Sequence, residues 1–332
     1  MILCICQSTF EPLLAEELRA DGQAVGDQGP GWLVSEAPLS ENWAFPQGIL
    51  DQPIVVEGES VNALANAIAT YFMEGLRGER IEANWPCVFA GPAEIVGLGR
   101  RISAVEGAFH EALKKRLNRV AKLAVSHVPK GVGRCRGLFV YFTDFKKAYV
   151  SRDLFHNGQR RMADDDLAPS RSYLKVEEAY GILGHEPQVG DQVCDLGAAP
   201  GGWSYSAAKR GARVVAIDNG PLKGGALDNP AIEHRMEDAF RYEPVKGAYD
   251  WLFCDMIEDP HHIMRAIVHP WLESGACRYF VINLKFGRVK PIELLEELKS
   301  PSSPFFQRAP GFRVRHLTHD REEFTVVGEV NR

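Results

Sequence analysis

The sequence predicts an α/β protein, with a wound, largely parallel sheet in its C-terminal half and small α/β units before it. From Pro169 onward, short apolar runs alternate with helix-type stretches, the pattern of a parallel sheet covered by helices. A glycine-rich turn, Gly197 to Gly202, follows the apolar Val193 and Cys194 and leads into Ser204–Arg210, which has helix composition. Finally, the apolar runs near 312–318 and 322–329 lie too close together to bracket a helix, so an antiparallel terminal hairpin is expected.

The elements follow in order. Met1-Ile-Leu-Cys-Ile-Cys6 reads as a buried strand, and Leu13, Leu14, Ala15 and Leu18 give a helix from about Phe10 to Asp21. Gly29-Pro-Gly31 and the stretch Pro46–Pro53 read as breaks. An apolar-faced helix is expected over 60–78, a strand over 87–97, an amphipathic helix over 102–125, and a strand run Leu138–Ser151 interrupted at Thr143-Asp144. Residues 156–169, with Asn157-Gly158 and three consecutive aspartates, read as an exposed connection. Further strands are expected near 192–197, 213–218, 249–255 and 278–285. The domain boundaries expected from this are 1–58, 59–167 and 168–332.

At 332 residues the chain can hold two or three domains with sizeable cores. It has no apolar run of membrane-spanning length, and its start lacks the basic opening and cleavage site of a secretory signal. The seven scattered cysteines have no zinc-type spacing, so reduced core thiols in a cytoplasmic protein are expected, and no metal. Net charge is −6, but unevenly spread: residues 1–59 hold ten acidic side chains and one basic, whereas residues 100–175 hold seventeen basic and seven acidic. A basic middle suggests a polyanion surface confined to one region. Lys114, Lys115, Arg116, Arg119, Lys122, Arg134 and Arg136 belong to it, as does Arg171, with aromatic residues such as Phe139, Tyr141, Phe142, Phe145, Tyr149 and Phe155 interleaved. Cations for phosphates beside rings for bases are what RNA binding needs. The bland alternative for the lysine–arginine run at 114–122 is a solvated helix face.

The turn Asp195-Leu-Gly-Ala-Ala-Pro-Gly-Gly-Trp203 places a ligand against backbone N–H groups at the carboxyl edge of the sheet. Its spacing fits neither the dinucleotide fingerprint nor the phosphate loop. A ligand held by other means than its phosphates fits better, and S-adenosyl-L-methionine is the common one. Asp195, Gly197, Ala198, Pro200, Gly201, Gly202 and Trp203 are the candidates to hold it. Asp218, ending the strand Val214–Ile217, is placed to accept from ribose hydroxyls, and Asp238 from an adenine amino group, unless these serve as a turn residue and a helix cap. Asp255 ends Trp251-Leu-Phe-Cys-Asp255 and Lys285 ends Phe280-Val-Ile-Asn-Leu-Lys285. Charges at the ends of such apolar strands are costly unless they pair or face a cleft. On neighbouring strands the two could meet, with a purely structural ion pair as the bland alternative; Asp255 is also a cofactor-site candidate.

Ser170-Arg-Ser-Tyr-Leu-Lys175, the glycine turn, Cys254-Asp255-Met256, Leu284-Lys285 and Arg321-Glu-Glu323-Phe-Thr-Val resemble the FtsJ-type RNA 2′-O-ribose methyltransferases. That resemblance implies a Rossmann-like class I methyltransferase sheet and a Lys-Asp-Lys-Glu tetrad, here Lys175, Asp255, Lys285 and Glu323. Within that group the chain is most similar to the bacterial RlmM family, on Ala168–Tyr180, Val215–Leu222 and Asp320–Glu323. The similarity is specific over 168–332 and weaker before it, where it implies an N-terminal α/β subdomain and a THUMP-like RNA-binding domain. It further implies a cytidine of 23S ribosomal RNA as target.

The tetrad also makes sense chemically. A ribose hydroxyl must lose its proton as it attacks a methyl donor. A lysine can take that proton only if its pKa falls from about 10.4 toward neutrality. Lys285 is the expected base, with the charge of Lys175 lowering it, Asp255 orienting it, and Lys175 and Glu323 positioning the hydroxyl. The same chemistry on transfer RNA or another ribosomal site remains open. A non-catalytic ribosome-assembly factor would have no use for two lysines at strand ends, and a nicotinamide dehydrogenase would want a different glycine pattern.

Overall fold

A computed structural model describes residues 1–243 and 245–331. The chain forms two compact units, one of residues 1–41 and 45–157, the other of 42–44 and 158–332, of which Arg332 lies outside the described residues.

The front unit runs β1 (Ile2–Ile5), α1 (Glu11–Ala20), β2 (Val25–Gly29), β3 (Trp32–Ser35), β4 (Gly48–Asp51), β5 (Ile54–Glu57), α2 (Val61–Gly75), β6 (Trp85–Ala90), α3 (Leu98–Arg116), α4 (Asn118–Lys122), β7 (Ala124–Val125), β8 (Val132–Phe142) and β9 (Lys147–Asn157). Its strands form a single sheet in the order β2-β3-β1-β4-β9-β8-β6-β7, with β5 also paired to β9. Residues 1–58 and 59–157 therefore share one sheet: β4 pairs with the far half of β9 and β5 with its near half. Helices α2 and α3 bury Leu64, Ile68, Phe72, Val105, Phe109 and Leu113 against this sheet. Ser60 caps α2 by accepting from Ala63 N at 3.1 Å.

Several expectations change here. The stretch Pro46–Pro53 holds β4 between its prolines, because Gly48–Asp51 needs only four residues to pair. The helix expected over 102–125 begins at Leu98 and breaks at Leu117 into α3 and α4. The connection expected to be exposed from 156 starts with Asn157 and Gln159 buried; Asn157 donates to Pro46 O at 2.6 Å. Phe139, Tyr141, Phe142, Tyr149 and Phe155 are buried core, so of the named aromatics only Phe145 is open to solvent.

The rear unit runs α5 (Tyr173–Leu183), β10 (Gln192–Leu196), α6 (Gly202–Lys209), β11 (Arg213–Ile217), β12 (Ile232–Arg235), β13 (Trp251–Cys254), α7 (Pro260–Ile263), α8 (His269–Ser274), β14 (Tyr279–Lys285), α9 (Pro291–Lys299), α10 (Pro304–Arg308), β15 (Arg313–Arg315) and β16 (Glu323–Glu329). Its sheet has the order β12-β11-β10-β13-β14-β16-β15. Pairing is parallel through β14 and antiparallel for β16 and β15, so the terminal hairpin forms as expected. The order reverses at β10, which opens a crevice at the carboxyl ends of β10, β11 and β13. Strands buried on both faces need continuous apolar runs, and Trp251–Cys254 and Phe280–Ile282 supply them.

All seven cysteines are free thiols, and six are buried. Among the described residues no helix is long and apolar enough to cross a membrane, and no group of three or more His, Cys, Asp or Glu is placed to hold a metal.

Candidate active site

The register of β14 against β16 sets the centre of the site. Lys285 lies directly opposite Glu323, and Lys285 Nζ donates to Glu323 Oε2 at 3.0 Å. Asp255, one residue past β13, accepts from Lys285 Nζ at 2.7 Å. Lys175, in the first turn of α5, reaches the same two carboxylates, Glu323 at 2.8 Å and Asp255 at 3.2 Å. The four side chains thus close a ring in which cations and carboxylates alternate. Their side-chain exposures of 8% to 25% put them in a low-dielectric pocket with one side open. Such a ring offsets the cost of burying four charges through mutual attraction and hydrogen bonds.

Electrostatics within the ring differ from the sequence expectation. Burial pulls Lys285 down, but Asp255 and Glu323 outweigh it and hold the ammonium above its ordinary value. The lowering expected from Lys175 does not prevail, because the Asp255 and Glu323 carboxylates at hydrogen-bond distance dominate. Glu323 is pushed up by burial, yet the two ammonium groups bring its net shift below the ordinary carboxylate range.

The glycine turn behaves as its sequence requires. Gly197 and Gly201 have φ of +76° and +104°, and an added Cβ would lie 2.5 Å from Met256 Cγ or Ala226 Cβ respectively. Only glycine fits both the backbone and the space. Gly202 opens α6, Ala198 is buried, and a cis bond joins Ala199 to Pro200. Asp218 sits past the end of β11, with Oδ2 accepting from Ala199 N at 3.0 Å and Oδ1 from Gly220 N at 2.7 Å. Each oxygen keeps a second lone pair, so Asp218 can still accept from a pair of hydroxyls.

Two turn residues occupy different places from those expected. Asp195 is fully buried and accepts from Ser204 Oγ at 2.6 Å, with burial pushing it up to about 7. Trp203 is buried as well and donates to Ser172 O at 2.9 Å. Both brace the turn from behind. Asp238 caps a short turn by accepting from Phe240 N at 3.0 Å, which is the capping alternative to an adenine contact, while its carboxylate stays on the surface.

A cleft of about 640 Å³ opens beside the ring, lined among others by Ile257, Asp259, Lys285, Arg288, Arg321 and Glu323. Arg288 and Arg321 are cationic wall residues that sequence reasoning did not single out: Arg288 lies in the loop after β14, and the motif that Arg321 opens was read only for its glutamate. The loop bearing Arg321 is held by His316, which is buried, donates from Nε2 to Arg321 O at 2.7 Å, and is pushed down by burial to about 4.

The cationic candidates of the front unit are all exposed, but unevenly available. Lys114, Lys115 and Arg116 form the last turn of α3, and Arg119 and Lys122 lie on α4. Lys114 pairs loosely with Glu111 at 3.8 Å. Arg134 is shared between Glu41 and Asp51, and Arg136 is committed to Glu79 and Asp153. Arg171, in the rear unit, pairs with Asp164 at 3.1 Å.

A family model described as FtsJ-like methyltransferase matches residues 168–273. Proteins named ribosomal RNA large subunit methyltransferase M are similar along most of the chain. The one from Methylococcus capsulatus is 31% identical over 98% of this chain and 96% of that protein. The one from Alkalilimnicola ehrlichii is 34% identical over 84% of this chain and 76% of its own length. For the one from Thauera aminoaromatica, also 34% identical, the match spans 66% of this chain and 62% of the relative, short of two thirds of its length.

Proposed function

The chain belongs to the ribosomal RNA large subunit methyltransferase M family, and we propose that it transfers a methyl group from S-adenosyl-L-methionine to a ribose 2′-hydroxyl of 23S ribosomal RNA, at a cytidine, in the cytoplasm. The observation that carries this reading is the alternating ring of Lys175, Asp255, Lys285 and Glu323 at the strand ends next to the glycine turn.

The cofactor fits the residues present. Gly197 to Gly202 would hold it through backbone, Asp218 through its remaining lone pairs, and Asp238 from the surface, while Asp255 stands between this turn and Lys285. When bound, S-adenosyl-L-methionine supplies a methyl group on a positively charged sulfur. Lys285 takes the proton of the 2′-hydroxyl, Lys175 donates to the ribose oxygen, and Glu323 holds Lys175 and positions the ribose. Alignment of that oxygen supplies much of the rate, because an oriented reaction avoids the entropic cost of encounter. Asp255 and Glu323 hold Lys285 as an ammonium, so it acts as a base once their grip on it is loosened. A cationic group held beside Asp255 would compete for the carboxylate that holds the ammonium. Selection of the RNA falls to the front unit, read as THUMP-like from residue 59 onward, through Lys114, Lys115, Arg116, Arg119 and Lys122.

Transfer of labelled methyl to unmodified 23S ribosomal RNA, with the label mapped to a nucleotide, tests this directly. Label on one cytidine ribose, absent with Lys285→Ala, is the expected result. Label on a parallel transfer RNA sample alone would keep the chemistry and reassign the target.

A further inference from the structure

The base of the ring is supported by a second layer. In the antiparallel pair β14–β16, Lys285 faces Glu323 and, two residues on, Asn283 faces Thr325. A strand period of two puts both pairs on the same side of the sheet. Asn283 is completely buried in an otherwise apolar strand, where an unsatisfied amide would be costly. Its Oδ1 accepts from Lys285 Nζ at 3.1 Å, and its Nδ2 donates to Thr325 Oγ1 at 3.1 Å and to Asp320 Oδ1 at 3.3 Å.

Proton bookkeeping fixes the direction of this chain. Lys285 Nζ offers protons to this amide, so the Asn283 atom that meets it is the oxygen. Asp320, buried and also accepting from Leu317 N at 2.9 Å, lies within hydrogen-bond reach of the same amide nitrogen. The amide nitrogen of Asn283 must therefore face Thr325 and Asp320, and its oxygen must face Lys285. A flipped amide would set its N–H groups against those of Lys285.

All three N–H groups of the Lys285 ammonium are thereby engaged, by Asp255, Glu323 and Asn283. A lysine that receives a proton from a ribose must point its lone pair into the cleft, and the ribose oxygen must displace one acceptor. Glu323 lines the cleft; Asn283 is sealed behind the strand and cannot be displaced. Resting on the reading of Lys285 as base, we propose that Asn283, aimed by Thr325 and Asp320, is a positioning residue that fixes the rotation of the Lys285 amino group and so directs its lone pair at the substrate.

The charges around Lys285 are Asp255 from the end of β13, Glu323 from β16 and Lys175 from α5 beyond them. Cys254 on β13, Asp320 and His316 in the loop before β16, and Glu258, Asp259, Arg288, Arg321 and Glu322 on the cleft wall are further titratable groups nearby. Against that background the neutral amide adds orientation and a modest preference for the ammonium.

The test is the pH dependence of kcat and KM for methyl transfer to unmodified 23S ribosomal RNA in wild type, Asn283→Ala, Asn283→Asp and Thr325→Val. Asn283→Ala should lower the plateau kcat about ten- to a hundredfold through loss of aim. KM for cofactor and RNA should stay within about twofold. Its acid limb should move down by about one pH unit, because the ammonium has lost an acceptor. Asn283→Asp should move the limb the other way, and Thr325→Val should follow Asn283→Ala to a smaller degree while sparing the fold. A fall in kcat with the limb unmoved in all three variants would mean a merely structural role and overturn the inference, as would wild-type profiles throughout. A wild-type protein that leaves ribose unmethylated sinks the functional reading first, and this inference with it.

Discussion

Each unit of this chain contains a network in which cations and carboxylates alternate, and each is seeded by an ion pair directly across two antiparallel strands. In the front unit Arg136 faces Asp153 across β8 and β9, and Glu79 joins Arg136 to the buried Arg152. In the rear unit Lys285 faces Glu323 across β14 and β16, and Asp255 and Lys175 complete the ring. The residue types are nearly the same; the surroundings are not. Arg136 and Asp153 are about half exposed, where a pair is screened and contributes little. The rear ring is buried, stands at the carboxyl edge of a parallel sheet, and borders both a cleft and a glycine turn. An alternating network is common chemistry; its place at the strand ends makes it a candidate active site.

The sharpest way to break the comparison is to remove one cation from each network. Lys285→Met should reduce methyl transfer about a thousandfold, within the range that a general base contributes, while calorimetry shows cofactor affinity unchanged. Near-normal turnover in that variant would assign the base elsewhere. Arg136→Ala, the matching change in front, should leave transfer intact and lower stability by no more than about 1 kcal/mol in chemical denaturation.

Next in size is a pH effect confined to the rear unit. His316 is held neutral in the fold, its pKa about 4 against 6.5 when unfolded. Between these values the unfolded chain binds a proton that the folded chain does not. Stability from this group is therefore complete above pH 6.5 and is lost as pH falls toward 4, by about 3 kcal/mol in all. The difference in unfolding free energy between wild type and His316→Gln, followed from pH 7.5 to 4.5, should narrow accordingly. A difference independent of pH would show that His316 titrates normally.

Much of this contrast was legible in the sequence, for a physical reason. Asp255 and Lys285 end apolar strands, and a charge there must be paired or functional, so local pattern alone marks them. Gly197 and Gly201 are marked by their spacing. The front sheet was harder to read. β2 is Val-Gly-Asp-Gln-Gly, with no apolar face, and β4 is four residues between two prolines, so neither shows the alternation by which strands are recognised. Their pairing is decided by distant partners. The same holds for Asn283, whose role depends on facing Thr325 across 42 residues of sequence. The aromatics of 139–155 misled for the opposite reason: rings that stack on bases and rings that fill a core have the same composition, and here all but Phe145 of those named are core.

The smallest expected effect concerns cations of the front unit that carboxylates do not already hold tightly. Arg134 and Arg136 are committed to Glu41, Asp51, Glu79 and Asp153, so binding RNA through them would first have to break ion pairs. Lys114, Lys115 and Arg116 sit together at the end of α3, where positive charge also suits the helix terminus. If this turn tracks phosphates, replacing all three with Ala should reduce the slope of log affinity against log salt by about 0.7 for each single-strand phosphate that is no longer neutralised. Cofactor affinity should not change, since the ring and the glycine turn belong to the other unit. Replacing Arg134 and Arg136 should leave the salt slope nearly where it was. Equal slopes in wild type and the triple variant would place the RNA surface elsewhere, with Arg288 and Arg321 on the cleft wall the next cations to test.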